Sequence, residues 1–123
     1  MIGAGGIGQA IARRQGAGKS VLLADFNEET LQSAASALEG AGLSVTTQVV
    51  DVSSRESVGS LAQAADALGS VIQVAHTAGV SPTMAPPTAI LTVDLLGTAL
   101  EEDRPPLGSR ARARRRRPAP EVL

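Results

Sequence analysis

Near its start the chain reads Gly3-Ala4-Gly5-Gly6-Ile7-Gly8, a run that fits the pattern G-x-G-x-x-G between a strand and a helix. In this pattern the first glycine allows a tight turn, and the second lets a pyrophosphate approach the backbone. The third lets the helix pack close to the sheet, where its free N–H groups meet the phosphates. Glycine-rich turns also occur for purely geometric reasons, so the meaning of the run depends on the residues after it.

An acidic residue, Asp25, stands 22 residues after Gly3, at the end of an apolar run over residues 20–25. Such a run is typical of a strand buried in a parallel sheet, and residues 7–15 before it carry the apolar stripe of a helix. At an offset of roughly 20 residues, an acid accepts hydrogen bonds from the ribose of a dinucleotide. A carboxylate there favours NAD, because it would repel the extra phosphate of NADP. The alternative is that Asp25 merely begins the next turn.

Strands and helices continue to alternate along the chain. The predicted elements are a second helix capped by Asn27 and ending near Gly40, a strand over residues 43–50, a third helix ending at Gly69, and a fourth strand over residues 71–75. The third helix is expected to begin at Ser53-Ser54-Arg55-Glu56, which has the spacing of a capping box. This order predicts an α/β fold with a doubly wound parallel sheet of the Rossmann type.

These landmarks together resemble the short-chain dehydrogenase/reductase family over about residues 1–100. The matching residues are Gly6-Ile7-Gly8, Asp25, Asp51-Val52 and His76-Thr77-Ala78-Gly79. The resemblance implies an NAD site in which Asp51 binds the adenine amino group, with the Val52 backbone beside it, while Ala78 and Gly79 line the adenosine ribose. A purely local interpretation of Asp51 is an acid near the N-terminus of a helix, where negative charge is favourable.

The sequence also departs from the family pattern. The glycine turn is one residue shorter than usual, and Asp94 stands where the family has an active-site asparagine, either as a partial substitute or as a polar residue on a helix flank. The family's catalytic tyrosine and lysine have no counterparts, because the chain has no tyrosine and its only lysine is Lys19. General acid–base help worth roughly 100-fold to 10,000-fold is missing, so we expect the chain to be inactive alone. We expect no metal at His76, the only histidine.

A change in charge divides the chain into two parts. Residues 1–103 contain 4 Lys/Arg and 11 Asp/Glu, whereas residues 104–123 contain 7 Arg and one Glu. We therefore expect a partial Rossmann domain over 1–103 and a disordered, Arg/Pro-rich tail over 104–123. Such a composition arises when GC-rich DNA is translated out of frame, which suggests a frameshift. A basic tail for nucleic acid is the alternative, but with no aromatic residue near it we do not expect a nucleic-acid partner.

The first strand is also expected to be short. Only Met1-Ile2 precede Gly3, whereas this strand normally lies at the sheet centre between the second and fourth strands. Its loss would expose the edges of those strands and leave a marginally stable, incomplete sheet. Residues 90–100 resemble the family's subunit-pairing helix, which would make a homo-oligomer, although a plain core helix is the alternative. The chain has no cysteine and no membrane-length apolar run, and we expect it to be cytoplasmic.

Three hypotheses remain open from the sequence. The first is the NAD-binding part of an oxidoreductase, and the second is a non-catalytic nucleotide-binding or interaction module. The third is a fragment of an S-adenosylmethionine-dependent methyltransferase, since those enzymes use a similar order of glycine turn and acids. They usually carry an acid just before the glycines, and this chain has none there.

Overall fold

The computed structural model describes residues 1–79, 86–96 and 120–123. The elements are α1 (Gly6–Gln15), β1 (Ser20–Asp25), α2 (Glu28–Glu39), β2 (Ser44–Val49), α3 (Arg55–Leu68), β3 (Ser70–Val71), α4 (Pro87–Ile90), a π-helical segment (Leu91–Leu96) and β4 (Glu121–Val122). The strands form one sheet in the order β2-β1-β4-β3, and all pairings between them are parallel. The predicted α/β fold with a parallel sheet is confirmed.

Strand β1 carries apolar core on both of its faces. Val21 and Leu23 belong to a buried cluster with residues of α1 and α2, whereas Leu22 and Ala24 belong to a second cluster with residues of α3. Successive side chains of a strand point to opposite faces, so the helices cover the sheet from both sides. This is the doubly wound arrangement expected from the sequence.

Helices α2 and α3 both begin at capping residues, and α3 begins one residue later than predicted. The Asn27 side chain accepts a hydrogen bond of 2.9 Å from the Thr30 N–H, as predicted for the start of α2. The predicted capping box at residues 53–56 is one residue early, because Ser54 caps α3 by accepting from the Ser57 N–H at 3.3 Å. Ser53 instead bonds the preceding acid, Asp51.

The last predicted strand, over residues 71–75, is shorter than expected. Strand β3 covers only Ser70–Val71, because its partner β4 is itself two residues long. Further along, His76 makes a single parallel bridge to Ile2. The π-helical segment and Ile90, the last residue of α4, lie in the region predicted as a pairing helix, residues 90–100, of which residues 97–100 lie outside the described residues.

The centre of the sheet differs from the sequence-based prediction. Strand β4, from the end of the chain, lies between β1 and β3, where the short first strand was expected to leave exposed edges. Val122 and Leu123 are 1% and 2% exposed. The prediction of a disordered tail is therefore wrong for residues 120–123. The physical reason is that unpaired strand edges readily accept a further apolar strand. Residues 104–119 lie outside the described part of the chain.

Within the described ranges, no helix combines the length and the apolar character needed to cross a membrane.

Candidate functional site

A cleft of about 480 Å³ opens at the carboxyl ends of the parallel strands. It is lined by Gly3, Gly5, Asp25, Phe26, Val50, Asp51, Val52, Ser53, Thr77, Ala78, Gly79 and Val93. In open α/β sheets, ligands bind outside the carboxyl ends of the strands, where the chain crosses from one side of the sheet to the other. The cleft thus brings together three sequence-predicted groups: the glycine turn, the two acids that follow strands, and the Ala78-Gly79 pair.

Two glycines of the turn are required by close backbone packing. Gly3 has a φ of +103°, and a Cβ on it would lie 2.7 Å from the Ala78 backbone nitrogen. A Cβ on Gly8 would lie 2.0 Å from the Gly3 carbonyl oxygen, far inside any allowed contact. The predicted roles of Gly3 in the turn and of Gly8 in helix packing therefore have a direct steric basis.

The middle of the turn faces open space. A Cβ built on Gly5 or Gly6 would meet no atom within 4 Å among the described residues, and Ile7 is 71% exposed. Gly5 is the N-cap of α1, no side chain caps it, and the first helical turn carries no acid. An uncapped helix N-terminus beside an open glycine edge suits a diphosphate, which accepts hydrogen bonds from backbone N–H groups and is favoured by the helix dipole.

Asp25 links the end of β1 to the glycine turn. Its Oδ2 atom accepts a hydrogen bond of 2.7 Å from the Ala4 N–H, and its Oδ1 atom accepts one of 2.9 Å from the Asn27 N–H. The sequence left open whether Asp25 serves a ligand or begins a turn. The second bond shows that it does stabilise the turn, while the side chain still lines the cleft.

Asp51 is held in a fixed orientation at the start of the segment between β2 and α3. Its Oδ1 atom accepts from the Ser53 N–H at 2.9 Å and from the Ser53 hydroxyl at 2.6 Å. Its own N–H donates to the Ser57 Oγ atom at 2.9 Å. Val52 is 7% exposed and packs in the α3-side cluster. The carboxylate is thus positioned by local hydrogen bonds in the lining of the cleft.

Thr77 connects the segment after β3 to Ile2 and Gly3 through hydrogen bonds. Its N–H and the Ala78 N–H both donate to the Ile2 carbonyl, at 2.6 Å and 3.1 Å. Its hydroxyl lies 3.2 Å from the Ile2 and Gly3 carbonyl oxygens. From the sequence, Thr77 was identified only as part of the segment His76-Thr77-Ala78-Gly79 that resembles the family pattern. A polar side chain at a strand end was the available signal that it fixes the glycine turn.

Asp94 lies beside Gly79. A Cβ built on Gly79 would be 3.2 Å from the Asp94 Oδ1 atom. The structure therefore brings this residue, which stands in place of an active-site asparagine, to the Gly79 end of the predicted ribose-binding segment. Neither Phe26, which is 74% exposed, nor Val93 was singled out by the sequence, although both line the cleft. The position of Phe26 directly after Asp25 was the signal that it borders the site.

Comparisons with known proteins agree with this geometry. Residues 1–94 match the family profile described as short chain dehydrogenase. The chain is 48% identical over 98 residues to the short-chain dehydrogenase/reductase bsc3 of Alternaria brassicicola, a match that covers 80% of this chain and 36% of that protein. The chain thus spans about a third of the length of that relative.

Solved structures show the same fold. A short-chain dehydrogenase/reductase from Burkholderia phymatum in complex with NAD is 29% identical, with a TM-score of 0.64, over 82% of this chain and 40% of the other. An actinorhodin polyketide ketoreductase with NADPH is 26% identical, with a TM-score of 0.65, over 82% of this chain and 42% of the other.

Proposed function

Because this chain belongs to the short-chain dehydrogenase family, we propose that its cleft binds a nicotinamide dinucleotide, and NAD in preference to NADP. The observation that carries the proposal is the Asp25 carboxylate, held between the end of β1 and the glycine turn on the wall of the cleft. The solved relatives named above hold NAD in one case and NADPH in the other, which supports the cofactor class.

The diphosphate would lie over Gly5 and Gly6. Those residues leave the backbone open, and the N-terminus of α1 offers N–H groups and the positive end of the helix dipole. Ile7, exposed in the same turn, would border the bound phosphates.

Asp25 would hold the adenosine ribose. A carboxylate has about four lone-pair positions, and the Ala4 and Asn27 N–H groups take two of them. The others are left to accept from ribose hydroxyls. The same negative charge would repel a phosphate on that ribose, which is the basis for the preference for NAD.

The adenine end would lie at Asp51. Its Ser53 bonds fix the carboxylate, so that it can accept from the adenine amino group, with the Val52 backbone beside it. Ala78 and Gly79, which also line the cleft, would line the ribose. When bound, the nicotinamide supplies the hydride-accepting or hydride-donating group, and the chain's own residues bind and orient the cofactor.

We propose binding without turnover for this chain by itself. The sequence has no tyrosine to move a proton to or from a substrate oxygen. Asp94, beside Gly79, would supply a polar group near the cofactor without replacing that proton donor.

Residues 90–100 are also proposed to pair two copies of the chain, because Leu91 is 60% exposed in the described part of that region.

Thermal unfolding of the purified chain with NAD, NADP or S-adenosylmethionine tests the proposal. NAD should raise the unfolding temperature, by an amount that grows with its concentration, and NADP should do so less. Asp25→Asn should remove the NAD effect, while Asp66→Asn, a matched change at an exposed position of α3, should retain it. A shift with S-adenosylmethionine alone would favour a methyltransferase fragment, and no shift with any ligand would contradict the proposal.

A further inference from the structure

The central strand of the sheet is built from both ends of the chain. Ile2 bridges Ala24 of β1 on one side and His76 on the other. Strand β4 lies at the same position in the sheet, between β1 and β3, with Val122 paired to Ser20 of β1 and to Val71 of β3. The last residues of the sequence and the first two therefore lie end to end at one strand position in the sheet, and both are parallel to β1.

The two pieces meet at Leu22. The Leu22 N–H donates to the Leu123 carbonyl at 3.0 Å, and the Leu22 carbonyl accepts from the Met1 amino group at 2.8 Å. On either side of this junction the ladder along β1 is continuous: the Leu123 N–H bonds Ser20, and the Ala24 N–H bonds Met1. The backbone groups of β1 are satisfied only when both pieces are in place.

The other edge of β4 is also bonded. The Ser70 N–H donates to the Pro120 carbonyl at 3.0 Å, and the Ile72 N–H donates to the Val122 carbonyl at 3.1 Å. A Cβ on Gly69 would lie 2.1 Å from the Pro120 oxygen, so a glycine, at a φ of +152°, lets the two segments approach. The gap in the sheet between β1 and β3, called the slot below, thus accepts a strand through backbone hydrogen bonds on both sides.

The side chains of this segment anchor it in both cores. Val122 joins the cluster on the α3 side together with Ile2, and Leu123 joins the cluster on the α1 and α2 side together with Met1 and Ala4. Leu123 therefore shares a core with the residues that lead into the glycine turn. Backbone bonds with alternate buried side chains are how a sheet takes up an added strand.

We propose that residues 120–123 act as an inserted strand that holds Met1-Ile2, and through them the glycine turn, in its cofactor-binding arrangement. The coupling rests on the proposed function, whereas the docking itself does not. By linkage, strand insertion strengthens dinucleotide binding, and the bound dinucleotide strengthens strand insertion by the same factor. The slot's occupant is the chain's own C-terminal segment, Glu121 to Leu123, with Pro120 at its entrance.

Amide hydrogen exchange on the full-length chain tests the docking. The Leu22 and Ile72 amides should be protected, because their acceptors are the Leu123 and Val122 carbonyls. Exchange of either amide at the rate of an unfolded chain would overturn the proposal. Val122→Asp, which places a charge at a position 1% exposed, should expose both amides. Leu91→Asp, which places the same charge at a position 60% exposed outside the sheet, should leave them protected.

Binding measurements on the same proteins test the coupling. Val122→Asp should weaken NAD binding by about tenfold or more, and a peptide with the sequence of residues 119–123 added in trans should restore it, whereas a scrambled peptide should not. In the unsubstituted chain, NAD should slow the exchange of the Ile72 amide. If Val122→Asp prevents folding, Leu123→Ala serves as the milder variant.

The outcomes separate the two proposals. Protected Leu22 and Ile72 amides without any NAD binding would retain the inserted strand and reject the proposed function. NAD binding of equal strength in Val122→Asp and the unsubstituted chain would reject the coupling.

Discussion

Asp25 and Ala4 are joined by a hydrogen bond of 2.7 Å, in which the Ala4 N–H donates to the Asp25 Oδ2 atom. The residue predicted to hold the cofactor ribose therefore also fixes the glycine turn that would hold the phosphates. Because the two parts of the site share this bond, a change at Asp25 affects the fold and the binding of a ligand together.

The Asp25→Ala variant should lose stability even without cofactor. It removes acceptors for the Ala4 and Asn27 N–H groups, and a hydrogen bond to a charged group contributes about 1.5–3 kcal/mol. We expect a loss of this size in the free energy of unfolding, measured by urea denaturation. Asp66→Ala, at an exposed position of α3, is the control and should change stability little. Equal stabilities for the two variants would show that the Asp25 bonds do not hold the turn.

The glycine turn offers a matched pair of substitutions. Gly8→Ala should cost about 1–3 kcal/mol or more of folding stability, because the new Cβ would lie 2.0 Å from the Gly3 oxygen. Gly5→Ala adds the same methyl group to open space, at a φ of −70° that alanine readily adopts. It should cost about 1 kcal/mol or less of folding stability, since alanine is a poorer N-cap than glycine, and yet weaken NAD binding by about tenfold, or ~1.4 kcal/mol. If Gly5→Ala bound NAD as well as the unsubstituted chain, the phosphates would not lie over this residue.

Thr77→Val tests how much the Thr77 hydroxyl contributes to folding stability. The shapes are nearly equal, but the contacts to the Ile2 and Gly3 carbonyls are lost. A loss of about 0.5–1.5 kcal/mol in the free energy of unfolding is expected. Thr92→Val, which removes the exposed hydroxyl bonded to Thr88, should have a smaller effect. The two variants are compared by thermal denaturation at one protein concentration.

The proposed pairing of two copies through residues 90–100 is tested at Leu91. Leu91→Glu places a charge on a side chain that is 60% exposed, and it should convert a dimer to a monomer in light scattering after size exclusion. Thr92→Glu, on the neighbouring exposed position, should remain a dimer. A monomeric unsubstituted chain would rule out the pairing.

Those parts of the fold that depend on local pattern could be predicted from the sequence. The apolar run of β1 and the N-cap Asn27 each carry their own signal within a few residues, and the structure has both where expected. The start of α3 was predicted one residue early because Ser53 and Ser54 are equally good N-caps locally. The choice is made by Asp51, which accepts hydrogen bonds from Ser53.

The position of the C-terminal strand could not be predicted in the same way. Its two buried residues, Val122 and Leu123, are too few to show a strand period. Their place in the sheet depends on a slot formed by residues far earlier in the chain, which no local pattern reports. The role of the Thr77 hydroxyl escaped prediction for the same reason, since its acceptors lie in the first three residues.

Binding of a nicotinamide dinucleotide in the cleft is best tested by an NMR titration of the ¹⁵N-labelled chain with NAD. We expect saturable shifts in the backbone amides of the cleft and its glycine turn, at Gly5, Gly6, Ser53 and Gly79, while exposed α3 amides such as that of Asp66 stay in place. Shifts confined to residues outside the cleft, or no saturable shift at millimolar NAD, would contradict dinucleotide binding there.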